Sequence, residues 1–370
     1  MTRNSVLISI FILILFLSGC SQENTKVPLE DVAMVGAMAF DYIEENKTKL
    51  TVVIPQYSEK AQKNIQTISV TTDIVSNGIR KVGKLSDRKV ELNQLRVVLI
   101  NEDFAKHEKL KDIIEYLYRN PQVGNKVYIA VVKGSGEELL KGQYPDKQSV
   151  IFYLRDILQP NVTTAFNPNT DINLFMFTST TPVYDPILPV LVKKDSKIDI
   201  QKVALFRNDH MYKTISPSEA LIIQALQGEK NLAPLYLKLK NGDTEERIML
   251  DLIKSNVKMK SNKNMKSPKL TITLKIEGIL SEYKGRLQHK LENTQNLVTL
   301  ENEVNKQIEK DTKHFLAKLK EMKVDPIGLS EQFRMYYDGK WTKEMTKQTI
   351  SKLNVDVHVD TSILSTGTLK

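Results

Sequence analysis

The only cysteine of the sequence, Cys20, stands at the end of the apolar stretch with which the chain begins. Arg3 is the only charged residue before it, and residues 6–17 are almost wholly apolar. A short basic start, an apolar run of about a dozen residues and small residues at a cleavage site are typical of a secretory signal, and such a run is too short to predict a transmembrane helix. We therefore expect residues 1–19 to be removed and the folded protein to begin after them.

The four residues Leu17-Ser18-Gly19-Cys20 resemble the lipobox of bacterial lipoproteins. This resemblance implies that diacylglycerol is attached to the Cys20 thiol and that the chain is cleaved before it. Two acyl chains are enough for stable anchoring, because each buried methylene contributes roughly 0.8 kcal/mol. The alternative is an ordinary signal peptide with an incidental cysteine. Acylation of the only cysteine would leave no disulfide, so an exported fold would depend on packing for its stability.

The composition is that of a globular protein with an excess of positive charge. The 370 residues suffice for two or three domains, and a hydrophobic content of 41% supplies a substantial core. The formal charge of +9 falls to +8 without Arg3. Such a charge suits an anionic bilayer, an acidic wall polymer or nucleic acid. Because aromatic residues are not interleaved with the basic ones, we expect no nucleic-acid partner.

Alternating strand and helix patterns predict an α/β domain at residues 20–200, with neighbouring parallel strands. Gly83 is expected to end its first helix. Residues 160–190 are rich in Asn, Thr and Pro, which predicts a loop-dominated crossing to a second domain. The patterns predict strands at residues 32–40, 49–54, 67–71, 95–100 and 126–132, and helices at residues 74–82, 102–119 and 148–158.

A small middle α+β domain is predicted at residues 201–265. Ser216, Pro217 and Glu219 have the spacing of an N-cap, a first helical residue and a capping-box glutamate. Residues 254–269 contain six lysines and no acidic residue, which we interpret as a solvated linker, with a membrane-facing patch as the alternative. The other predicted elements are a hairpin at residues 203–206 and 211–215 and strands at residues 235–239 and 246–252.

The remaining residues, 266–370, are predicted to form one sheet with helices packed on it. The predicted fold class is therefore α/β and α+β, with three domains of mixed sheets and packed helices behind a lipidated N-terminus. The elements expected in this last domain are strands at residues 270–279 and 355–364 and helices at residues 293–322, 325–336 and 341–353.

The stretch Asp325-Pro326-Ile327-Gly328-Leu329 is predicted to be structural. Asp325 can cap a new helix, and Pro326 suits its first position. Gly328 would allow a neighbouring element to approach closely, and Leu329 would face the core together with Phe333, four residues later.

Several of these segments, taken in order, carry a family resemblance. They are residues 17–20, residues 95–100 with the helix after them and Asn120-Pro121, residues 203–209 before the 216–226 helix, residues 325–329, Trp341 and residues 355–359. Together they resemble the Ger(x)C family, the C subunits of nutrient germinant receptors in endospore-forming bacteria.

The resemblance implies three α/β-type domains and a non-enzymatic lipoprotein subunit. It also implies membrane-embedded A-type and B-type partner subunits at the outer face of the spore inner membrane, and it supplies no ligand-contact residues. One competing interpretation is an extracytoplasmic solute-binding lipoprotein of a transporter, a class that needs two doubly wound lobes around a cleft. Another is a membrane-tethered wall enzyme, for which the sequence offers no catalytic constellation.

Cys20, as the lipidation site, is therefore the only site residue that we predict; we expect no catalytic residue, cofactor or metal. Residues 78–85 resemble a phosphate-binding loop except that Leu85 stands where Ser or Thr is needed. The five histidines are scattered, with no pair at ligand spacing. Trp341 is expected to anchor the core. Adjacent side chains on a helix or strand point apart, so we interpret three glutamate pairs as solvated, at residues 44–45, 137–138 and 245–246.

Overall fold

The computed structural model describes residues 28–56, 65–159, 168, 170–241 and 244–365. A short 3-10 helix, Leu29–Asp31, comes first, and Ala33 begins the main compact unit. The strands in the described residues are β1 (Val32–Met34), β2 (Ala37–Glu44), β3 (Lys47–Pro55), β4 (Ile65–Thr72), β5 (Lys89–Glu91), β6 (Val97–Asn101), β7 (Tyr128–Val132), β8 (Ile187–Lys194), β9 (Lys197–Arg207), β10 (His210–Ile215), β11 (Asn231–Leu232), β12 (Leu235–Asn241), β13 (Thr244–Ser261), β14 (Lys269–Lys284) and β15 (Asn354–Ser365).

The α-helices in the same residues lie between these strands. None of the helices in the described ranges is both long enough and apolar enough to cross a membrane. In chain order they are α1 (Val75–Leu85), α2 (Glu102–His107), α3 (Leu110–Arg119), α4 (Gly136–Leu140), α5 (Val150–Leu158), α6 (Ile172–Thr180), α7 (Pro217–Gln227), α8 (Thr294–Met322), α9 (Glu331–Arg334) and α10 (Lys343–Lys352).

An eight-stranded sheet with the order β10-β9-β8-β7-β6-β2-β3-β4 forms the centre of the first half. Its four middle strands, β8, β7, β6 and β2, are parallel, and the pairs at both edges are antiparallel. In β2, Met38 and Phe40 belong to one buried cluster, whereas Ala37 and Ala39 belong to another on the opposite face. Helices cover both faces, which explains why the central strands are continuous apolar runs rather than alternating ones.

A five-stranded sheet forms the centre of the second half. Its order is β11-β13-β14-β15, and β12 also pairs with β13. Along β14, buried residues from Leu270 to Ile276 alternate with exposed or half-buried ones, so only one face of the sheet is covered. The long helix α8 packs on that face through residues such as Leu300, Val304 and Phe315. The predicted fold class, mixed sheets with packed helices, is confirmed.

The two predicted boundaries between folded domains lie inside a strand and inside a hairpin loop. The boundary at residue 200 lies inside β9, whose Val203 and Leu205 pack into the core of the second half while Ala204 and Phe206 pack into that of the first. The boundary at residue 265 lies in the loop between β13 and β14, two strands that pair along most of their length. The division into domains of residues 20–200, 201–265 and 266–370 stays a prediction.

Two helix predictions in the first half were wrong in detail. Gly83 does not end α1, which continues to Leu85, because glycine inside a helix costs only about 1 kcal/mol. The helix predicted at residues 102–119 is two helices, α2 and α3, separated by Glu108 in an extended conformation. Periodicity alone does not reveal such a break, because apolar side chains continue on both sides of it.

Two segments interpreted as irregular are regular. The crossing at residues 160–190 contains α6, which is apolar on most sides and therefore shows no helical period, and the start of β8. The linker predicted at residues 254–269 consists of the end of β13, a short loop and the first residue of β14. In β13, Val257 and Met259 pack on the core while the lysines face outward. Apolar and charged residues therefore alternate as in a half-buried strand, but the high lysine content made the segment resemble a linker.

Candidate functional site at the junction of the two sheets

The segment after α8 places an acidic side chain in the interior. Helix α8 ends at Met322, and the next residue, Lys323, adopts a left-handed conformation with φ of 53°. The next residues turn inward, and Asp325 is fully buried. A buried carboxylate requires hydrogen-bond donors around it.

Backbone amides of the following loop surround the Asp325 carboxylate. Oδ1 accepts hydrogen bonds from the amides of Gly328 at 2.7 Å and Leu329 at 2.9 Å, and Oδ2 accepts one from Ser330 at 2.8 Å. The predicted helix start at Asp325 was therefore wrong, because α9 begins only at Glu331. Asp325 satisfies amides as predicted, but those amides belong to a loop before the helix.

Gly328 is the residue that brings this loop against a tyrosine. Its φ of +84° lies in the left-handed region, and a Cβ at this position would collide with the Tyr184 ring. Leu329 and Phe333 are buried in the second-half core. The predicted close approach at Gly328 and the predicted core positions of Leu329 and Phe333 are confirmed.

Asp185, just before β8, joins this loop to the first sheet. Its amide donates to the Asp325 carbonyl at 3.0 Å, and its Oδ2 accepts from the Asp325 amide at 2.7 Å. The Nζ of Lys343, at the start of α10, lies 2.8 Å from Asp185 Oδ1 and also donates to the carbonyl of Tyr184. We call Asp185, Asp325 and Lys343 the junction triad; it connects three segments that are far apart in the sequence.

Burial raises the pKa of Asp325 to about 6, against an ordinary value of 3.8. The hydrogen bonds from Ser330 and Leu329 lower this pKa, and the neighbouring negative charge of Asp185 raises it. Desolvation dominates because the carboxylate cannot reach water. The pKa of the Tyr184 hydroxyl is also raised, chiefly by burial.

Further polar contacts hold α7 and β9 to the same region. Gln227, the last residue of α7, donates from Nε2 to the Pro326 carbonyl at 2.9 Å. Arg207 donates from Nη1 to the carbonyl of Met322 at 3.3 Å. The ammonium of Lys318 lies 2.8 Å from the carboxylate of Glu219, which also completes the predicted capping box of α7. The junction is therefore fixed from several sides.

A cavity of about 380 Å³ borders the junction. Its lining includes apolar and amide side chains: Phe177, Tyr184, Gln227, Met259, Ile327 and Gln332. Across the described ranges, no three His, Cys, Asp or Glu side chains are grouped as metal ligands. The arrangement of a buried carboxylate, backbone amides and a lysine is suited to holding segments together.

The site residue predicted from the sequence, Cys20, lies outside the described residues, so its lipidation stays a prediction. Trp341 is buried, and its Nε1 donates to the Thr346 hydroxyl at 2.8 Å. That hydroxyl in turn donates to the carbonyl of Pro182 at 2.7 Å. The prediction that Trp341 anchors the core is confirmed.

Two glutamates that we interpreted as solvated accept hydrogen bonds from other side chains. Glu137 accepts hydrogen bonds from Lys141, Ser69 and Lys49, which lower its pKa to about 2. Glu246 is almost fully buried and accepts a hydrogen bond from the Tyr283 hydroxyl. Lys141, four residues after Glu137, is a local partner, whereas Ser69, Lys49 and Tyr283 come from strands distant in sequence. Adjacent glutamate pairs in the sequence therefore do not reveal these environments.

Asp185 was missed by the sequence analysis altogether. It lies in the stretch that we interpreted as a loop-dominated crossing, and its partner Asp325 is 140 residues away. The only local signal is an acidic residue between Tyr184 and Pro186, which is too common to single it out.

Comparison with protein families gives two matches in chain order. Residues 25–193 match the model described as spore germination protein N-terminal domain, and residues 201–367 match the one described as spore germination B3/GerAC like, C-terminal. The chain belongs to the Ger(x)C family of spore germination proteins. Asp185 lies in the first matched region of this Ger(x)C protein, and Asp325 and Lys343 lie in the second.

Relatives of similar length support the family. Spore germination protein GerQC of Bacillus cereus is 27% identical over 96% of this chain and 97% of its own. Spore germination protein KC of Bacillus subtilis strain 168 is 21% identical over 99% and 97%, respectively. The crystal structure of the GerBC protein is similar in fold, with a TM-score of 0.56 and 15% identity, over 88% of this Ger(x)C chain and 96% of that one. Family membership gives the chain a role in spore germination.

Proposed function

We propose that this chain is the lipid-anchored C subunit of a nutrient germinant receptor, held through Cys20 at the outer face of the spore inner membrane. Its task is non-enzymatic: it assembles with membrane-embedded A-type and B-type subunits and is needed for nutrient-triggered germination. The observation that carries the proposal is the match of both family regions, in order, over residues 25–193 and 201–367.

The alternative, a solute-binding lipoprotein of a transporter, requires two doubly wound lobes around a cleft. In the described residues only the eight-stranded sheet has a parallel centre with helices on both faces. The five-stranded sheet is mostly antiparallel and is covered on one face. This architecture favours the receptor-subunit proposal over the transporter one.

A gene deletion in the native spore former tests the proposal. We expect the deletion spores to lose the response to a nutrient mixture and to keep the response to a non-nutrient trigger. A tagged copy of the chain should restore the response and co-purify with A-type and B-type subunits from spore membranes. Normal nutrient germination together with lost solute uptake would favour the transporter alternative instead.

Cys20→Ala tests the anchor separately. If the thiol carries the lipid, the variant should accumulate as uncleaved precursor, should incorporate no radiolabelled fatty acid and should not restore germination. Cys20→Ser is a matched variant, because serine is nearly isosteric but offers no thiol for a thioether. Equal fatty-acid labelling of wild type and Cys20→Ala would disprove the anchor and leave the receptor role open.

A further inference from the structure

The hairpin between β13 and β14 ends in a loop held by two asparagine side chains. The Asn262 amide donates to the Lys269 carbonyl at 3.0 Å, and Asn262 Oδ1 accepts from the Lys269 amide at 3.0 Å. Asn264 Oδ1 accepts from the amides of Lys266 at 2.9 Å and Ser267 at 3.3 Å. The backbone that carries the lysines of this loop therefore has a defined shape.

The hairpin that carries this loop is rich in lysine. No Asp or Glu occurs between Asp251 and Glu277. Around the loop, the lysines that are exposed and form no ion pair with any described acidic side chain are Lys258, Lys260, Lys263, Lys266 and Lys269. Lys275, farther along β14, differs in lying 3.6 Å from the carboxylate of Asp360.

An exposed apolar and aromatic segment lies beside the same loop. Met335, Tyr336 and Tyr337 follow α9 and are 54%, 56% and 41% exposed. The ammonium of Lys263 lies 4.3 Å from the centre of the Tyr336 ring. The hydroxyl of Ser261 donates to the carbonyl of Gln332 at 2.7 Å, which fixes the hairpin against α9.

The acidic residues of this segment do not cancel the positive charge of the hairpin lysines. Glu331 is paired with Arg334 at 2.5 Å. Asp338 is exposed, and Lys340, also exposed, lies two residues further along the chain. The net positive charge of the region therefore comes from the hairpin lysines.

We propose that the tip patch, which we define as Lys260, Lys263, Lys266, Met335, Tyr336 and Tyr337, binds an anionic lipid bilayer surface. Tyrosine and methionine side chains can enter the headgroup region while the lysines contact the lipid charges. Each lysine near such a surface strengthens binding roughly fivefold at low salt. The inference goes beyond the proposed acyl anchor, because this surface binds a bilayer without Cys20 lipidation.

The test uses the chain from residue 20 onward with Cys20→Ser, mixed with phosphatidylglycerol or phosphatidylcholine vesicles. Trp341, the only tryptophan, serves as a reporter, since its ring lies 5.6 Å from that of Tyr337. We expect flotation with the anionic vesicles and a change in tryptophan fluorescence. Binding should fall at least tenfold when salt rises from about 50 to about 500 mM, because surface charges are screened.

Matched variants separate this patch from net charge. Lys263→Gln/Lys266→Gln should weaken vesicle binding roughly 25-fold, and Met335→Ser/Tyr336→Ser should weaken it at least fivefold. Lys306→Gln/Lys310→Gln removes the same charge from exposed positions of α8 and should leave binding within about twofold. Thermal unfolding of each variant verifies that the fold is retained.

Four results would overturn the proposal. The first is binding that ignores both salt and lipid charge, and the second is an equal loss in the α8 control variant. The third is binding to soluble polyglutamate without binding to vesicles, which would assign the patch to an acidic polymer. Absence of vesicle binding by the Cys20→Ser chain would remove the patch but leave the acyl anchor and the receptor role untouched.

Discussion

At the scale of single residues, Asp325 is a fully buried carboxylate in the loop between α8 and α9. A helix cap of the kind predicted from the sequence satisfies one or two amides near solvent. The folded chain instead buries this carboxylate completely and gives it the amides of Gly328, Leu329 and Ser330. Its replacement therefore leaves several buried donors without an acceptor, and each such donor is costly.

We expect Asp325→Ala to lower the free energy of unfolding by about 3 kcal/mol or more, compared with about 1 kcal/mol for an exposed cap. Urea denaturation of purified protein measures the change. Asp338→Ala, at an exposed position in the same region, should stay within about 0.5 kcal/mol of wild type. A loss below about 1 kcal/mol for Asp325→Ala would contradict the buried-acceptor role.

The raised pKa of Asp325 predicts a pH dependence with a definite sign. The folded chain, with a pKa of about 6, holds this proton more tightly than an unfolded chain with a pKa of 3.8. The stabilisation from this group is therefore complete below pH 4 and is lost as the pH rises through 6. Relative to Asp325→Asn, the free energy of unfolding of wild type should fall by on the order of 3 kcal/mol as the pH rises between those limits.

Glu137 supplies the opposite control for this experiment. Its folded pKa of about 2 lies below the ordinary value of 4.5, so its stabilisation is present above pH 4.5 and is lost as the pH falls through 2. Glu137→Gln should thus be less stable than wild type at pH 7 and approach it in acid. Parallel stability curves for wild type and Asp325→Asn would show that the Asp325 pKa is not raised.

At the scale of elements, α8 covers the free edge of β15 with its polar side chains. Glu309 accepts a hydrogen bond from the Val359 amide at 3.0 Å. Two further side chains, four and eight residues earlier in α8, accept from the amides two and four residues further along β15. Four helical residues advance about 6 Å and two strand residues about 6.6 Å, so the two repeats stay nearly in step. The other pairs are Asn305 with the Thr361 amide and Glu301 with the Ile363 amide, each at 2.8 Å.

An unpaired strand edge invites association with other chains. Asn305→Ala should therefore cost about 1–2 kcal/mol and increase self-association. Chemical denaturation and size-exclusion chromatography measure the two effects. Lys310→Ala, on the exposed face of the same helix, is the control and should change neither. Normal stability and a purely monomeric Asn305→Ala protein would mean that the edge is protected in another way.

At the scale of the whole molecule, the junction triad ties the two matched regions together. Lys343→Met removes the cation beside the buried Asp185 carboxylate and should lower the free energy of unfolding by about 2 kcal/mol. Asp185→Asn/Lys343→Met should cost less than the sum of the single changes, because the variant no longer buries an unpaired charge. Lys340→Met, an exposed lysine nearby, is the control.

Germination should follow protein abundance in the Lys343→Met variant, because a destabilised exported protein is depleted by proteolysis. Immunoblots of spore membranes alongside germination assays compare the two quantities. Normal abundance and thermal stability without a nutrient response would instead make the junction a contact site for a partner subunit.

Local sequence patterns were enough to predict the mixed-sheet class, the capping box of α7, the long helix α8 and the strands β14 and β15. These features depend on residues only a few positions apart, and hydrophobic period and capping chemistry act at that range. Tertiary structure alone decided that Asp325 contacts Asp185, that the buried Glu246 bonds to Tyr283, and that α8 covers the edge of β15. Those partners are distant in sequence. The packing of whole elements determines which of them come into contact, and the burial of apolar surface drives that packing.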